Sequence, residues 1–183
     1  MRQRLTWWAV LSGAIAAAAL YFGGNVLATS PSGFTAMTLA KGRLGEIDVF
    51  NQLVAPPDAQ LPGNNGNVWL SLQKTKGLSD LYVQSNTWLP GGSTGWHSHP
   101  GHSLIIVTAG SVTDYEGDDP SCTPHVYTFV PGQPAPAFVD RGGNHVHIIR
   151  NEGSVPASTI AVQLIPADAQ RRIEAPSPGN CSF

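Results

Sequence analysis

The stretch Gly91-Gly92-Ser93-Thr94-Gly95-Trp96-His97-Ser98-His99-Pro100-Gly101-His102-Ser103-Leu104-Ile105-Ile106-Val107-Thr108-Ala109-Gly110 decides the fold. Glycine and proline punctuate its first half, and Ser103–Val107 reads as a β-branched, apolar strand. His97 and His99 are two residues apart. On a strand, positions i and i+2 share a face, so both rings can point at one ion. The pattern returns as His145-Val146-His147. All 6 histidines fall between His97 and His147. Imidazole is the commonest side-chain metal ligand, so this clustering points to a metal site.

Working outward, short apolar runs alternate with turn signals. They are Phe34–Lys41, Gly45–Leu53, Val68–Lys74, Leu81–Trp88 and Gly95–His99, then Ser103–Val107 and Val112–Glu116. Val126–Val130, Ala137–Val139, His145–Arg150 and Thr159–Leu164 complete the set. Between them stand Pro90-Gly91-Gly92, Gly117-Asp118, Pro131-Gly132 and Gly142-Gly143, and Pro56 to Asn67 reads as a polar loop. Many short strands at this spacing predict an all-β sandwich or barrel. Only Ala167–Ile173 reads as helix. The 20 glycines and 15 prolines argue against a helical bundle, since both break helices. With 183 residues and 42% hydrophobic content the chain can fill one core. The net charge of −2 offers no basic excess to read as a nucleic-acid surface.

On these residues the sequence resembles the cupin superfamily. The first cupin motif is a glycine, five residues, His-x-His, three or four residues, a glutamate, six residues and a glycine. Gly91, His97, His99 and Gly110 match it in spacing, with Ser103 where the glutamate belongs. The second motif ends in a histidine, three residues and an asparagine, as His147 and Asn151 do. Its upstream Pro-x-Gly is matched only by Asp140-Arg141-Gly142, which would make His145 the ligand. The His147 register is preferred, because Asn151-Glu152-Gly153 completes the usual turn. The resemblance covers a motif core of residues 80–165. It implies a single jelly-roll-like cupin β-barrel over residues 29–183, and His97, His99 and His147 holding one divalent transition metal. Iron, manganese, nickel and zinc all accept imidazole, so ligand type does not choose among them.

The departure at Ser103 bears on the chemistry. Three neutral imidazoles leave a divalent ion its full charge, which favours anionic, bidentate ligands. Three-histidine sites of this kind resemble those of dioxygenases. The expectation is an exported metal-binding cupin, a small metal-dependent oxygenase or isomerase acting on a small anionic or oxygen-rich substrate. The alternatives are a non-catalytic cupin that binds a ligand or metal in the same cavity, and a decayed site that Ser103 marks. His145 and His102 are the candidate catalytic proton carriers. His145 is expected to share a face with His147, and strand parity does not place His102 after Pro100-Gly101. His125 reads as a loop or surface histidine. Trp69, Trp88, Trp96 and Phe138 are candidates for the barrel mouth, with core packing as the plainer reading. Trp96 has the opposite parity to His97 and is expected outside the cavity. No phosphate-binding glycine loop or Gly-x-Ser-x-Gly turn is present.

The ends of the chain suggest export. Arg2 and Arg4 precede an uncharged run from Leu5 to Phe22, and Val26-Leu27-Ala28 suits cleavage after Ala28. Residues 1–28 therefore read as a signal peptide, or as a helical membrane anchor, and residues 29–183 as extracytoplasmic, secreted or periplasmic. Contact with a membrane is expected only through that segment. The partners expected are a small-molecule ligand or substrate and, at most, a second copy in a homodimer. Cys122 lies in a loop and Cys181 in a proline-rich tail, so a Cys122–Cys181 disulfide is expected to staple the tail.

Overall fold

The computed structural model describes residues 28–56 and 68–183. The proposed signal or anchor lies almost wholly outside the described residues, as does most of the Pro56–Asn67 loop. Among the described residues there is no helix long and apolar enough to cross a membrane.

The described chain is all-β. One sheet begins with β1 (Ser32–Leu44), which pairs antiparallel with the long β4 (Ser79–Ser93). On its other edge β4 pairs with β11 (Ala157–Pro166), β11 with β6 (Ser103–Ala109), and β6 with β9 (Ala137–Asp140). The second sheet pairs β8 (His125–Thr128) with β7 (Ser111–Glu116), and β7 with β10 (His147–Arg150). It continues through β5 (His97–Ser98) to β12 (Ile173–Glu174). The Arg150–Ser93 pair joins the two sheets into a nearly closed barrel. A separate hairpin of β2 (Asp48–Val54) and β3 (Val68–Lys74) carries exposed Phe50, Leu53, Trp69 and Leu72.

Alternation along the strands decides what faces inward. Gln84, Asn86 and Trp88 of β4 line the interior with Ser103 and Ile105 of β6, and with Ala161 and Gln163 of β11. Leu104 and Ile106 point outward and are exposed. Trp88, Ile105, Val107, Val112, Phe138, Ile149, Ala157 and Ala161 form one buried apolar cluster. Trp88 is 1% exposed, and its truncation to alanine would cost about 3–5 kcal/mol. Trp96, Tyr115, Ile148 and Ala175 form a second cluster, against which Cys122 and Cys181 pack. Trp96 therefore lies outside the cavity, as its parity implies. Trp69 sits exposed on the hairpin, and Phe138 stacks on Tyr127 within the core. Of the four aromatic candidates only Trp88 lines the cavity, joined there by Phe34.

Cys122 and Cys181 form a disulfide with their Cα atoms 5.3 Å apart. The expected helix at Ala167–Ile173 is absent. Ala167 and Asp168 form a turn, with Asp168 at φ 61°, and the segment ends in β12 against β5. Two helical turns without tertiary support are marginal. Here the backbone is used otherwise: Asp168 N–H donates to Asp80 Oδ2 at 3.0 Å, and Ile173 and Glu174 pair with Ser98 and His97. Buried Asp80 also receives both ends of Arg43, at 2.8 and 3.1 Å, which ties this turn to β1 and β4.

Candidate metal centre

His97 on β5, His99 just beyond it and His147 at the start of β10 come together inside the barrel. His97 and His147 are register partners in the β5–β10 pair. Their ring centroids are 4.5 Å apart, and His99 lies 4.8 Å from His97 and 5.8 Å from His147. One nitrogen from each ring falls within 4.8 Å of the other two.

Each ring is held by its other nitrogen. His97 Nδ1 donates to the Gly95 carbonyl at 2.9 Å, and His99 Nδ1 to the Arg171 carbonyl at 2.6 Å. A carbonyl only accepts, so in both neutral rings the proton sits on Nδ1 and the Nε2 lone pair is free. His147 Nδ1 faces Asp114 Oδ1 at 3.3 Å, and His147 Nε2 is buried with no hydrogen-bond partner. This is the arrangement by which outer partners orient metal-binding imidazoles. Gly95 is needed for it: its φ is +68°, and a Cβ there would lie 2.2 Å from the Thr29 carbonyl.

Burial sets the charge state. It pushes the His97 pKa well below the usual imidazole value, helped by the neighbouring His147. Burial also lowers that of His99. In His147 burial acts downward too, but the Asp114 hydrogen bond and the Asp114 and Asp140 charges outweigh it and raise the pKa. Two of the rings are thus kept neutral, the form that binds a metal.

The cavity next to the rings has a volume of about 80 Å³. Trp88, Phe34 and Ile105 form its apolar wall, and Gln84, Asn86 and Gln163 bring side-chain amides. Arg171 and Arg172 reach it from the tail. Arg172 pairs with Glu174. Arg171 donates to Thr38 Oγ1 and lies over the Tyr82 ring, but it makes no ion pair among the described residues. Ser103, at the motif glutamate's position, donates to Asp140 Oδ2 at 3.0 Å and accepts from Gln163 at 3.2 Å.

The other histidines go elsewhere. His145 was expected to share the His147 face, but the strand begins only at His147. Residues 142–145 form a turn, with His145 N–H on the Gly142 carbonyl, so period-two parity does not apply. The His145 ring turns to Glu116 Oε2 at 2.6 Å, Asp118 Oδ1 at 3.1 Å and the Arg141 guanidinium. His102 lines a different groove with Leu72, Leu78 and Pro166. His125 is exposed at the start of β8. Asp114, Asp140 and Arg171 escaped the sequence reading. For Asp114 there was a signal: it sits in the alternating Val112–Glu116 strand.

No protein-family model matches the chain, and no curated protein matches it. Solved structures are similar to parts of it. Peruvianin-I, a cysteine peptidase from Thevetia peruviana latex, is 25% identical over 45% of this chain and 49% of its own, with a TM-score of 0.37. A cupin superfamily protein from Desulfitobacterium hafniense is 15% identical over 46% and 67%, with a TM-score of 0.38. The polyketide cyclase RemF from Streptomyces resistomycificus is 18% identical over 54% and 64%, with a TM-score of 0.42. The similarity thus spans about half the length of peruvianin-I and about two thirds of the other two. By its own strand order and interior, the chain is an all-β, nearly closed barrel that brings three imidazoles together on its inner face.

Proposed function

We propose that the protein is an exported metal-dependent enzyme, an oxygenase or isomerase acting on a small, oxygen-rich anion. The observation that carries this is the set of three imidazoles, two buried and one partly buried, whose ring nitrogens come within 4.8 Å of one another beside a cavity, with the Nδ1 atoms of His97 and His99 held by backbone carbonyls. The residues fit a divalent first-row metal, with His97, His99 and His147 as its holders. Such an ion supplies Lewis acidity and open positions for a bidentate ligand.

The chain's own groups define the substrate. A cavity of about 80 Å³ has room for a molecule of only a few heavy atoms. Arg171 puts on its wall a guanidinium that has no carboxylate partner among the described residues, which fits a carboxylate or enolate oxygen. The amides of Gln84, Asn86 and Gln163 can orient further oxygens, and Trp88, Phe34 and Ile105 exclude water from that side. The proposal gives His102 and His145 no part in the chemistry, because neither ring lines this cavity. The Cys122–Cys181 bridge supports an oxidising, extracytoplasmic location.

The test is turnover of small hydroxy acids, diketones and thiols by iron-loaded protein, followed by oxygen uptake and product analysis. One anionic substrate should turn over, and Arg171→Ala should raise its KM roughly 10- to 100-fold, the worth of a hydrogen bond to a charged group. Tight binding of such an anion without turnover would favour the non-catalytic cupin instead.

A further inference from the structure

The motif glutamate is replaced by Ser103, yet a carboxylate stands directly across the β6–β9 rung. Ser103 and Asp140 are register partners, and Ser103 Oγ donates to Asp140 Oδ2 at 3.0 Å. Asp140 Oδ2 lies 3.7 Å from His99 Nε2, and Asp140 Oδ1 lies 4.0 Å from His147 Nε2. Two ligands on one first-row ion, each at about 2.1 Å, lie roughly 3–4 Å apart.

The electrostatics make the same point. The Asp140 side chain is 0% exposed. Its hydrogen bonds come from neutral donors, Ser103 Oγ and the Gly142 N–H at 2.9 Å, and no Lys or Arg pairs with it among the described residues. A buried carboxylate without a cation is costly. It faces Nε2 atoms at distances too long for a hydrogen bond. In neutral His99 that atom is a second acceptor, because its proton is on Nδ1. The Asp140 oxygen and the His99 lone pair thus face each other as two acceptors across a buried gap, an arrangement that a cation between them would relieve.

We propose that Asp140 supplies the carboxylate of the metal centre, moved across one strand rung from position 103, with Ser103 as the donor that aims it. This rests on the three-imidazole reading above. It makes the donor set three histidines and one carboxylate, and lowers the net charge of a divalent centre by one relative to the imidazoles alone.

Cobalt(II) titration of metal-free protein tests it, read by visible absorption and calorimetry. Asp140→Asn keeps the shape and the Gly142 N–H bond on its one oxygen, while the contact to Ser103 reverses so that Nδ2 donates to the hydroxyl. It should weaken cobalt binding at least about 10-fold and change the d–d spectrum, and Ser103→Ala should give a smaller loss in the same direction. An infrared difference spectrum of the unsubstituted protein, metal-loaded minus metal-free, should show a carboxylate band shift whether or not the variant folds. Unchanged affinity and spectrum in a folded Asp140→Asn, with binding abolished in His97→Ala, would overturn the Asp140 assignment alone. The absence of the infrared shift in loaded protein would overturn it too. No uptake by the unsubstituted protein would overturn both this and the imidazole reading.

Discussion

Two groups of ligand-type side chains lie side by side in this barrel, and they differ in what their partners leave free. His97, His99 and His147 form one, and Glu116, Asp118 and His145 the other, with the His145 and His147 rings 6.5 Å apart. In the first group His97 and His99 are fixed through Nδ1 on backbone carbonyls, His147 Nδ1 faces Asp114 at 3.3 Å, and His147 Nε2 has no hydrogen-bond partner among the described residues. In the second His145 Nε2 already contacts both carboxylates, and Arg141 supplies a permanent positive charge to both. His97 and His147 of the first are buried and His99 partly so, while Asp118 is 62% exposed. A count of donors treats the two alike. Whether a site is ready for an ion depends on whether its lone pairs are held apart from other partners before the ion arrives.

The largest effect should come from removing a ring of the first group. His97→Ala or His147→Ala should lose metal affinity by more than the roughly 10- to 100-fold that an outer-partner change costs, whereas His145→Ala should leave it unchanged within error. Calorimetric titration of the three variants decides this, and loss of metal in His145→Ala with retention in His147→Ala would invert the comparison. The next effect sharpens the role of the held Nδ1 atoms. Asp114→Asn leaves all three ligands in place but weakens the grip on His147, and should cost about 10- to 100-fold in affinity.

The disulfide separates stability from metal binding. It anchors the tail beside the second group, where Asn180 donates to the Glu116 carbonyl at 2.9 Å. Its loop of 59 residues implies a stabilisation of about 4 kcal/mol on the chain-entropy account. Cys122→Ser/Cys181→Ser should therefore lower the unfolding midpoint strongly while metal affinity stays within a few-fold.

The smallest effect is a pH dependence within the second group. The His145 hydrogen bond, then the His145 and Arg141 charges, hold the Asp118 pKa below the ordinary carboxylate value. A depressed folded pKa contributes stability above the unfolded value of about 3.9, and that contribution is lost as pH falls through the folded one. For so exposed a group it amounts to less than about 1 kcal/mol. Urea midpoints of the unsubstituted protein and Asp118→Asn should differ slightly near neutrality and converge as the pH falls below the ordinary carboxylate range.

What was legible in the sequence follows from how local each signal is. The strand at Ala137–Asp140 is a period-two pattern confined to a few residues, and the barrel contains it; of the expected Gly95–His99 strand only His97–Ser98 forms, with His99 just past its end. His145 was misread because the same spacing straddles a turn and a strand. The Ala167–Ile173 segment was misread because its backbone is recruited by β5 and Asp80, far away in sequence. Asp140 was invisible as a neighbour of the site, since what lies opposite Ser103 depends on the register between β6 and β9. Arg171 reaches the cavity only because the tail folds back along β5.

Metal content and ligand type, measured together on untagged protein, test the central claim most directly. Loading with zinc or cobalt, followed by elemental analysis and X-ray absorption, should find one ion per chain with imidazole scattering from three rings. Uptake of less than about a tenth of an equivalent, or an ion whose imidazole signal survives His97→Ala and His147→Ala but not His145→Ala, would contradict it.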